Sequence, residues 1–450
     1  MTFPAYPEYR ESGISAMGNI PRHWAVISFK RAATISYGLG QPPEYHLDGT
    51  RFLRATNVKR GELSTEGLVY VDEAALPESR VTRLALGDIV VVRSGAYTGD
   101  SAIVTADWVG AIAGFDMAVR MKPGIAPAFA AAALLSKYML EAQINLLRLR
   151  AAQPHLNAEE LGNLLFVLPP PAEQSAIAAF LDRETGKIDA LVAEQERLIA
   201  LLKEKRQAVI SQAVTKGLDP NVPMKDSGVE WLGEVPAHWE VKRLKHLILP
   251  GTSISYGIVQ PGDAQDEGVP FIQTTNMTSA SFDLDSLQKT TAEIAAAYPR
   301  TCLEGGEVIL GIRASIGSCH VVHKELHGVN LSRGVARIVS NGTVTSEFLV
   351  AFLRSKSATE YWALMRQGST FNEVSIETVK EITIPMPPVG EQTAIIAFLT
   401  EASSIVDALT AEAERAVTLF RERRAALISA AVTGKIDVRD LAAEHPAEAA

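Results

Sequence analysis

The chain runs to 450 residues, long enough for two or three domains with cores of their own, and its 47% hydrophobic and 21% charged residues are those of an ordinary globular protein. Cys302 and Cys319 are the only cysteines, which excludes a disulfide framework. No basic stretch followed by an apolar one opens the sequence, so the expectation is a soluble cytoplasmic protein without membrane contact. The net charge of −9 leaves no segment with a basic arm, so a nucleic-acid role needs cations gathered on particular faces or brought by a partner.

Residues 1–168 read as a β-rich domain. Glu11-Ser12-Gly13 and then Gly18, Pro21, His23 and Trp24 open it. Ser36 to Pro42 forms a glycine-containing turn, and the short β-branched run Asp88 to Val92 is bounded by glycines as a strand should be. Ile125 to Leu135, the most apolar stretch, is broken by Pro127 and is too short to span a membrane. A helix is expected over Phe129 to Leu147. At 169–219 a proline-rich turn, Pro169 to Pro171, leads through Glu173-Gln174 into a long run of strong helix formers.

The order then repeats. Residues 220–386 form a second β-rich domain, opening on Asp226-Ser227-Gly228, Gly233, Pro236, His238 and Trp239. Ser255 to Pro261 is its turn, Phe271 to Asn276 matches Phe52 to Asn57, and Glu307 to Leu310 matches the run at Asp88. A helix is expected over Ser346 to Met365. Residues 387–437 repeat the helical region, and the tail 438–450, rich in Ala and Glu, is expected to fray. Glu173 to Asp219 and Glu391 to Asp437 align without a gap at 24 identities in 47 positions, far above the roughly one in fifteen of unrelated chains. The chain is an internal duplication.

Alternating steps of four and three from Ile177 place apolar residues at seven of ten positions, and from Ile395 at nine of ten. A 3.5-residue period held that long predicts a coiled-coil seam. The expected fold is α+β: two β-rich domains related by pseudo-twofold symmetry, separated by two long helices forming an antiparallel coiled coil. Two ordinary amphipathic helices in a bundle core are the alternative on periodicity alone.

This layout resembles the specificity subunit of type I restriction-modification systems over nearly the whole chain. The tokens that carry the likeness are Pro-Pro-Pro-Ala-Glu-Gln at Pro169 to Gln174, Pro-Pro-Val-Gly-Glu-Gln at Pro387 to Gln392, and the paired openings ending in His23-Trp24 and His238-Trp239. The resemblance implies two target-recognition domains, each reading one half of a bipartite, non-palindromic site in double-stranded DNA. It also implies two adenine-methyltransferase subunits as partners, and restriction subunits that translocate and cut. S-adenosylmethionine, ATP and Mg would then sit on those partners, with no cofactor in this chain and the paired helices serving as ruler and docking platform.

Consistent with that, the sequence has no glycine-rich cofactor loop with an Asn/Asp-Pro-Pro-aromatic turn and no Gly-x-x-x-x-Gly-Lys-Ser/Thr phosphate loop, so no catalytic residue is assigned. Cys319, His320, His323 and His327 have metal-like density, but a strand there throws Cys319 and His320 to opposite faces. No metal is assigned, and the sequence leaves that point open. The candidate DNA contacts are polar loop residues: Tyr37, Gln41, Arg51, Arg54, Asn57, Lys59 and Arg93 in the first domain, with Arg60 beside them, and Tyr256, Gln260, Gln273, Thr274, Asn276, Arg313, Gln367, Ser369 and Asn372 in the second. Arg can grip guanine and Gln or Asn adenine, whereas each residue can equally be a solvated loop or a turn cap. Residues alike in both halves (Tyr37/Tyr256, Asn57/Asn276, Arg93/Arg313) suit scaffold or phosphate contact, because domains that read different sequences must differ where they touch bases. On the helices, Arg197, Glu204 and Arg206 recur as Arg415, Glu422 and Arg424, and are expected to face outward as two equivalent methyltransferase docks. A coiled-coil adaptor that binds other proteins, or a stand-alone nuclease or methyltransferase, are the competing readings.

Overall fold

A computed structural model describes residues 3–14, 17–78, 81–148, 154–279, 281–365 and 373–441. Two compact units divide the chain: residues 1–196 with 414–450, and residues 197–413. Each unit therefore holds one β-rich domain and a portion of each long helix.

The first unit is built on a four-stranded antiparallel sheet in the order Ser101–Ile103, Ile89–Val91, Met117–Met121, Ala33–Tyr37. A three-stranded sheet, Ile112–Ala113, Thr50–Leu53, Val69–Val71, lies in the same domain, its first pair parallel. Ile89–Val91 is wholly buried because both faces of its sheet are covered. Ile89 and Val91 enter the core that contains Phe129 and Phe166, and Val90 enters the cluster of Leu53, Val104 and Trp108. Burying each such side chain contributes about 2 kcal/mol.

The second unit has the same topology. Its four-stranded sheet runs Cys319–Val321, Val308–Gly311, Val335–Ile338, Ser255–Tyr256, and its three-stranded sheet runs Lys289–Thr290, Val269–Ile272, Asn330–Leu331. Val308 and Leu310 face one core, Ile309 the other.

Each expected domain helix is two helices. Pro127–Leu134 stops before Ser136 and Ser346–Leu353 before Ser355, after which a second helical run begins, Lys137–Met139 continued by the π-helical turn Leu140–Ile144 and by Asn145–Arg148 in the first domain, and Lys356–Met365 in the second. Both serines are fully buried. Ser136 donates to the Ala133 carbonyl, and Ser355 Oγ accepts from Ala358 N–H, so a local bond competes with the helix ladder at each break.

The long helices are continuous, Pro171–Lys216 and Val389–Val432. Gly217 at φ +75° and Gly434 at φ +70° follow them, the left-handed residue that ends a helix at little cost. By length and composition alone Val389–Val432 is also apolar enough to cross a membrane, whereas the more apolar Pro127–Leu134 is too short. In the first unit Asp189 pairs with Arg424 and Glu196 with Arg421, both at 2.8 Å; in the second Arg206 pairs with Asp407. The two helices run antiparallel in each unit.

The twin sequence tokens meet at the start of each long helix. Glu173 accepts hydrogen bonds from Tyr6 Oη (3.0 Å) and Trp24 Nε1 (2.9 Å) and lies 2.6 Å from His23 Nε2; Glu391 lies 2.9 Å from His238 Nε2. The neighbouring glutamines are buried. Gln174 accepts from Ala126 N–H and donates to the Pro169 and Gly124 carbonyls, while Gln392 accepts from Thr345 N–H and donates to those of Pro387 and Thr343. Each glutamine thus ties the strand-to-helix turn to the helix of its domain. At the other end of the distal helix, Ile428, Ala431 and Val432 share the core of Trp24 and Phe180. Val438, where fraying was expected to begin, is fully buried there, and Arg439 pairs with Asp437 and lies over the Tyr6 ring. The remainder of that tail, 442–450, lies outside the described residues.

Candidate nucleic-acid interface

The polar loop residues separate into locked and available groups. Asn57 belongs to the locked ones: it is fully buried, its Oδ1 accepts from Arg54 N–H, and its Nδ2 donates to the Ser64 and Glu66 carbonyls. This corrects its assignment to DNA, since no polar atom is left to reach a ligand. Asn276 repeats the device by accepting from Gln273 N–H at 2.9 Å. Recurrence of this asparagine is a matter of turn geometry.

Arg51 donates to the Asp107 carbonyl and lies over the Trp108 ring; Arg54 donates to the Gly67 carbonyl and lies over Tyr45. Lys59 stands 3.5 Å from Glu66, and Arg60 pairs with Asp100. Gln41 and Gln260 are exposed, as are the rings of Tyr37 and Tyr256, although Tyr37 Oη accepts the Ala158 N–H that opens a short helix. Gln273 donates to Gln288 at 3.0 Å, and Thr274 packs over Gly334, where a Cβ would stand only 2.3 Å from its methyl carbon. Gln367, Ser369 and Asn372 lie outside the described residues.

Arg93 and Arg313, equated by sequence, are not equivalent. The carbonyl of Arg93 accepts from Leu156 N–H, and the matching bond in the second unit, Val374 N–H to carbonyl, ends on Ile312. The isolated bridges Ser94↔His155 and Arg313↔Glu373 confirm the register, so Arg313 corresponds to Ser94. One residue along an extended chain changes the face, and the two arginines do different things. Arg313 is tied to Glu373 through Nε (2.8 Å) and a second nitrogen (2.7 Å). Arg93 lies with its guanidinium carbon 4.7 Å from the Tyr37 ring centroid and 4.2 Å from that of Phe115. Among the described residues its side chain has no ion-pair partner, and its Nε is buried without one.

Beneath it is Asp116, only 2% exposed. Its Oδ1 accepts Arg93 N–H and its Oδ2 has no partner, and burial pushes its pKa up to about 6 despite the nearby guanidinium. The sequence reading missed Phe115 and Asp116. Their only signal is position, in the two residues between Gly114 and Met117; between the matching positions of the second unit, Ser332 and Ala336, there are three, Arg333, Gly334 and Val335, the last already in the strand.

The helix charges are corrected too. Arg206 and Arg424 do not face outward. They make repeat-related ion pairs to the opposite helix, with Asp407 and Asp189, and that inter-helix bond is a packing reason for both copies to match. Arg197, Glu204, Arg415 and Glu422 are exposed. Between them lie Leu201, 51% exposed, and Leu419, 63% exposed, so Arg197, Leu201 and Glu204 form one stripe at steps of four and three, and Arg415, Leu419 and Glu422 form its copy. Cys319 is buried with its thiol directed at the Val350 carbonyl, while His320 bonds the Met277 carbonyl and lines, with His323, an open groove of about 1250 Å³. Among the described residues no three His, Cys, Asp or Glu side chains converge as metal ligands.

Residues 236–418 match the family model of the type I restriction modification DNA specificity domain. The specificity subunit of the Escherichia coli type I restriction enzyme EcoBI is 25% identical over 297 residues, 65% of this chain and 62% of that one. That of the E. coli K12 enzyme EcoKI is 22% identical over 445 residues, covering 95% and 92%. Among solved structures, a chain of a type I R-M system superposes with a TM-score of 0.71 at 17% identity, over 93% of this chain and 99% of that one. The HsdS subunit from Thermoanaerobacter tengcongensis gives 0.50 at 17% identity, over 93% and 98%. A β-rich domain and helix built twice in one order, with the tokens of both copies meeting at equivalent places, agrees with these matches: residues 236–418 are similar to the type I restriction modification DNA specificity domain, and the fold of the chain is that of the solved type I structures.

Proposed function

We propose that each β-rich domain reads one half of a bipartite, asymmetric site in double-stranded DNA, and that the chain carries no catalytic centre of its own. The observation that carries this reading is a scaffold built twice to the same topology whose loop chemistry differs at matching places. Arg93 stands where the second unit has buried Ile312, and Phe115-Asp116 where it has Arg333-Gly334-Val335. A symmetric adaptor would have no need of such differences, whereas two readers of unlike half-sites must differ where they meet bases.

The stripes at Arg197-Leu201-Glu204 and Arg415-Leu419-Glu422 suit two equivalent partner surfaces, each a large apolar side chain between opposite charges. Two methyltransferase subunits are the partners that fit, with restriction subunits joining the same assembly in the cytoplasm. S-adenosylmethionine, ATP and Mg belong on those subunits. Partners of this kind also supply the positive surface that a chain of net charge −9 lacks.

The test is binding of the full chain, assembled with the methyltransferase of its own host, to a pool of duplexes across a salt series. Sequence-selective binding that weakens as salt rises is the expected result. Binding that ignores sequence, or tight association with protein but none with DNA, sinks the reading.

A further inference from the structure

We propose that Arg93 is a base-reading residue of the first domain, donating its paired N–H groups to the O6 and N7 of one guanine in the half-site. The inference rests on the DNA-reading function proposed above and names one contact within it.

Four observations converge on this residue. Its guanidinium is held against two rings, at 4.7 Å from Tyr37 and 4.2 Å from Phe115, both themselves exposed at 44%, so its plane is set before any ligand arrives and little side-chain freedom remains to be lost. Its donors are not consumed within the described residues. The buried acid beside it bonds the backbone of Arg93 and forms no ion pair with its side chain, in contrast to Arg313, which Glu373 holds at two nitrogens.

The surroundings favour a base over a phosphate. The Asp116 carboxylate beneath the guanidinium opposes an approaching phosphate, whereas the neutral edge of a purine escapes that penalty. A planar fork aimed along one edge is the geometry guanine accepts in the major groove. Finally, the position is particular to the first unit. Its counterpart, Ile312, is buried at 1% exposure, as expected of a residue that distinguishes one half-site from the other.

The full chain, in complex with the methyltransferase of its own host, is to be challenged with duplexes randomised across the site, and the preference at every position read for wild type, Arg93→Lys and Arg93→Ala. Lysine keeps the charge but loses the fork. The expected result is a fall of about 10- to 100-fold in the preference for guanine at one position, in both variants, with all other positions and the second half-site unchanged. An Arg93→Lys variant that keeps the wild-type preference overturns the proposal. So does a uniform loss of affinity at unchanged preference, which describes a phosphate contact, and so does loss of all binding by both variants at an unchanged melting temperature, since one base contact governs one position. A wild-type complex that shows no sequence preference overturns the DNA-reading function itself, whereas preserved wild-type selectivity with an unaffected Arg93→Lys defeats this inference alone.

Discussion

Gln174 and Gln392 show how much one buried side chain can organise. Each satisfies a backbone N–H and two carbonyls where a strand turns into a long helix, positions that apolar neighbours cannot satisfy. Gln174→Ala leaves those groups buried and unpaired, so a loss of about 2–4 kcal/mol of stability is expected in denaturant melts, with Gln392→Ala similar. A Gln174→Ala chain as stable as wild type would show that water replaces the amide. Asp116 provides a pH-dependent case. The unfolded chain releases this proton near pH 4 and the fold only near pH 6, so the folded state holds more protons between those values and stability falls as pH rises through them. The difference in stability between Asp116→Asn and wild type should therefore shift toward the variant by up to about 3 kcal/mol from pH 4 to pH 6 and stay level above. A difference independent of pH would show that Asp116 titrates at its ordinary value.

At the scale of the helix, the repeated charges divide into two kinds with separable phenotypes. Arg206 and Asp407 brace the helix pair inside the second unit. Exchanging them, as Arg206→Asp with Asp407→Arg, should restore the roughly 0.5–1 kcal/mol that either change alone costs, measured by thermal melting as a double-mutant cycle. Leu201 and Leu419 are more than half exposed in the free chain and belong to none of its buried clusters. Leu201→Asp with Leu419→Asp should leave the melting temperature unchanged while assembly with the methyltransferase falls at least tenfold on a sizing column. Full assembly by that variant would place the dock elsewhere.

At the scale of the molecule, both long helices pass without a break from one unit into the other, with the division after Glu196 in the first and after Ala413 in the second. Seven residues inserted at each of those points preserve the heptad phase and leave every ion pair within its unit. They add about 10 Å of helix to each connection. If the units read separate half-sites, the unread spacer should lengthen by about three base pairs with both half-site sequences retained, because a duplex rises about 3.4 Å per pair and is too stiff to absorb the change over so short a site. Methylation mapping of the insertion variant checks this, and an active complex with the original spacer would refute it.

The duplication, the order of domains and helices, and the 3.5-residue seam are local regularities, and Glu173 to Asp219 with its copy was enough to read them. Periodicity survives in one dimension because each helix or strand must bury one face. The breaks at Ser136 and Ser355 escaped the same reading, because whether a serine competes with the helix ladder depends on its burial in a domain core. What the side chains do was decided in three dimensions. Asn57 reads as a loop donor until its three bonds are seen, and Arg206 reads as an outward charge until Asp407 is found opposite it on the other helix. The pairing of Arg93 with Arg313 failed for the same reason. An arginine at nearly the same offset signals likeness in sequence, but strand register fixes which face a residue occupies, and register is set by hydrogen bonds to distant segments, Leu156 in one unit and Val374 in the other.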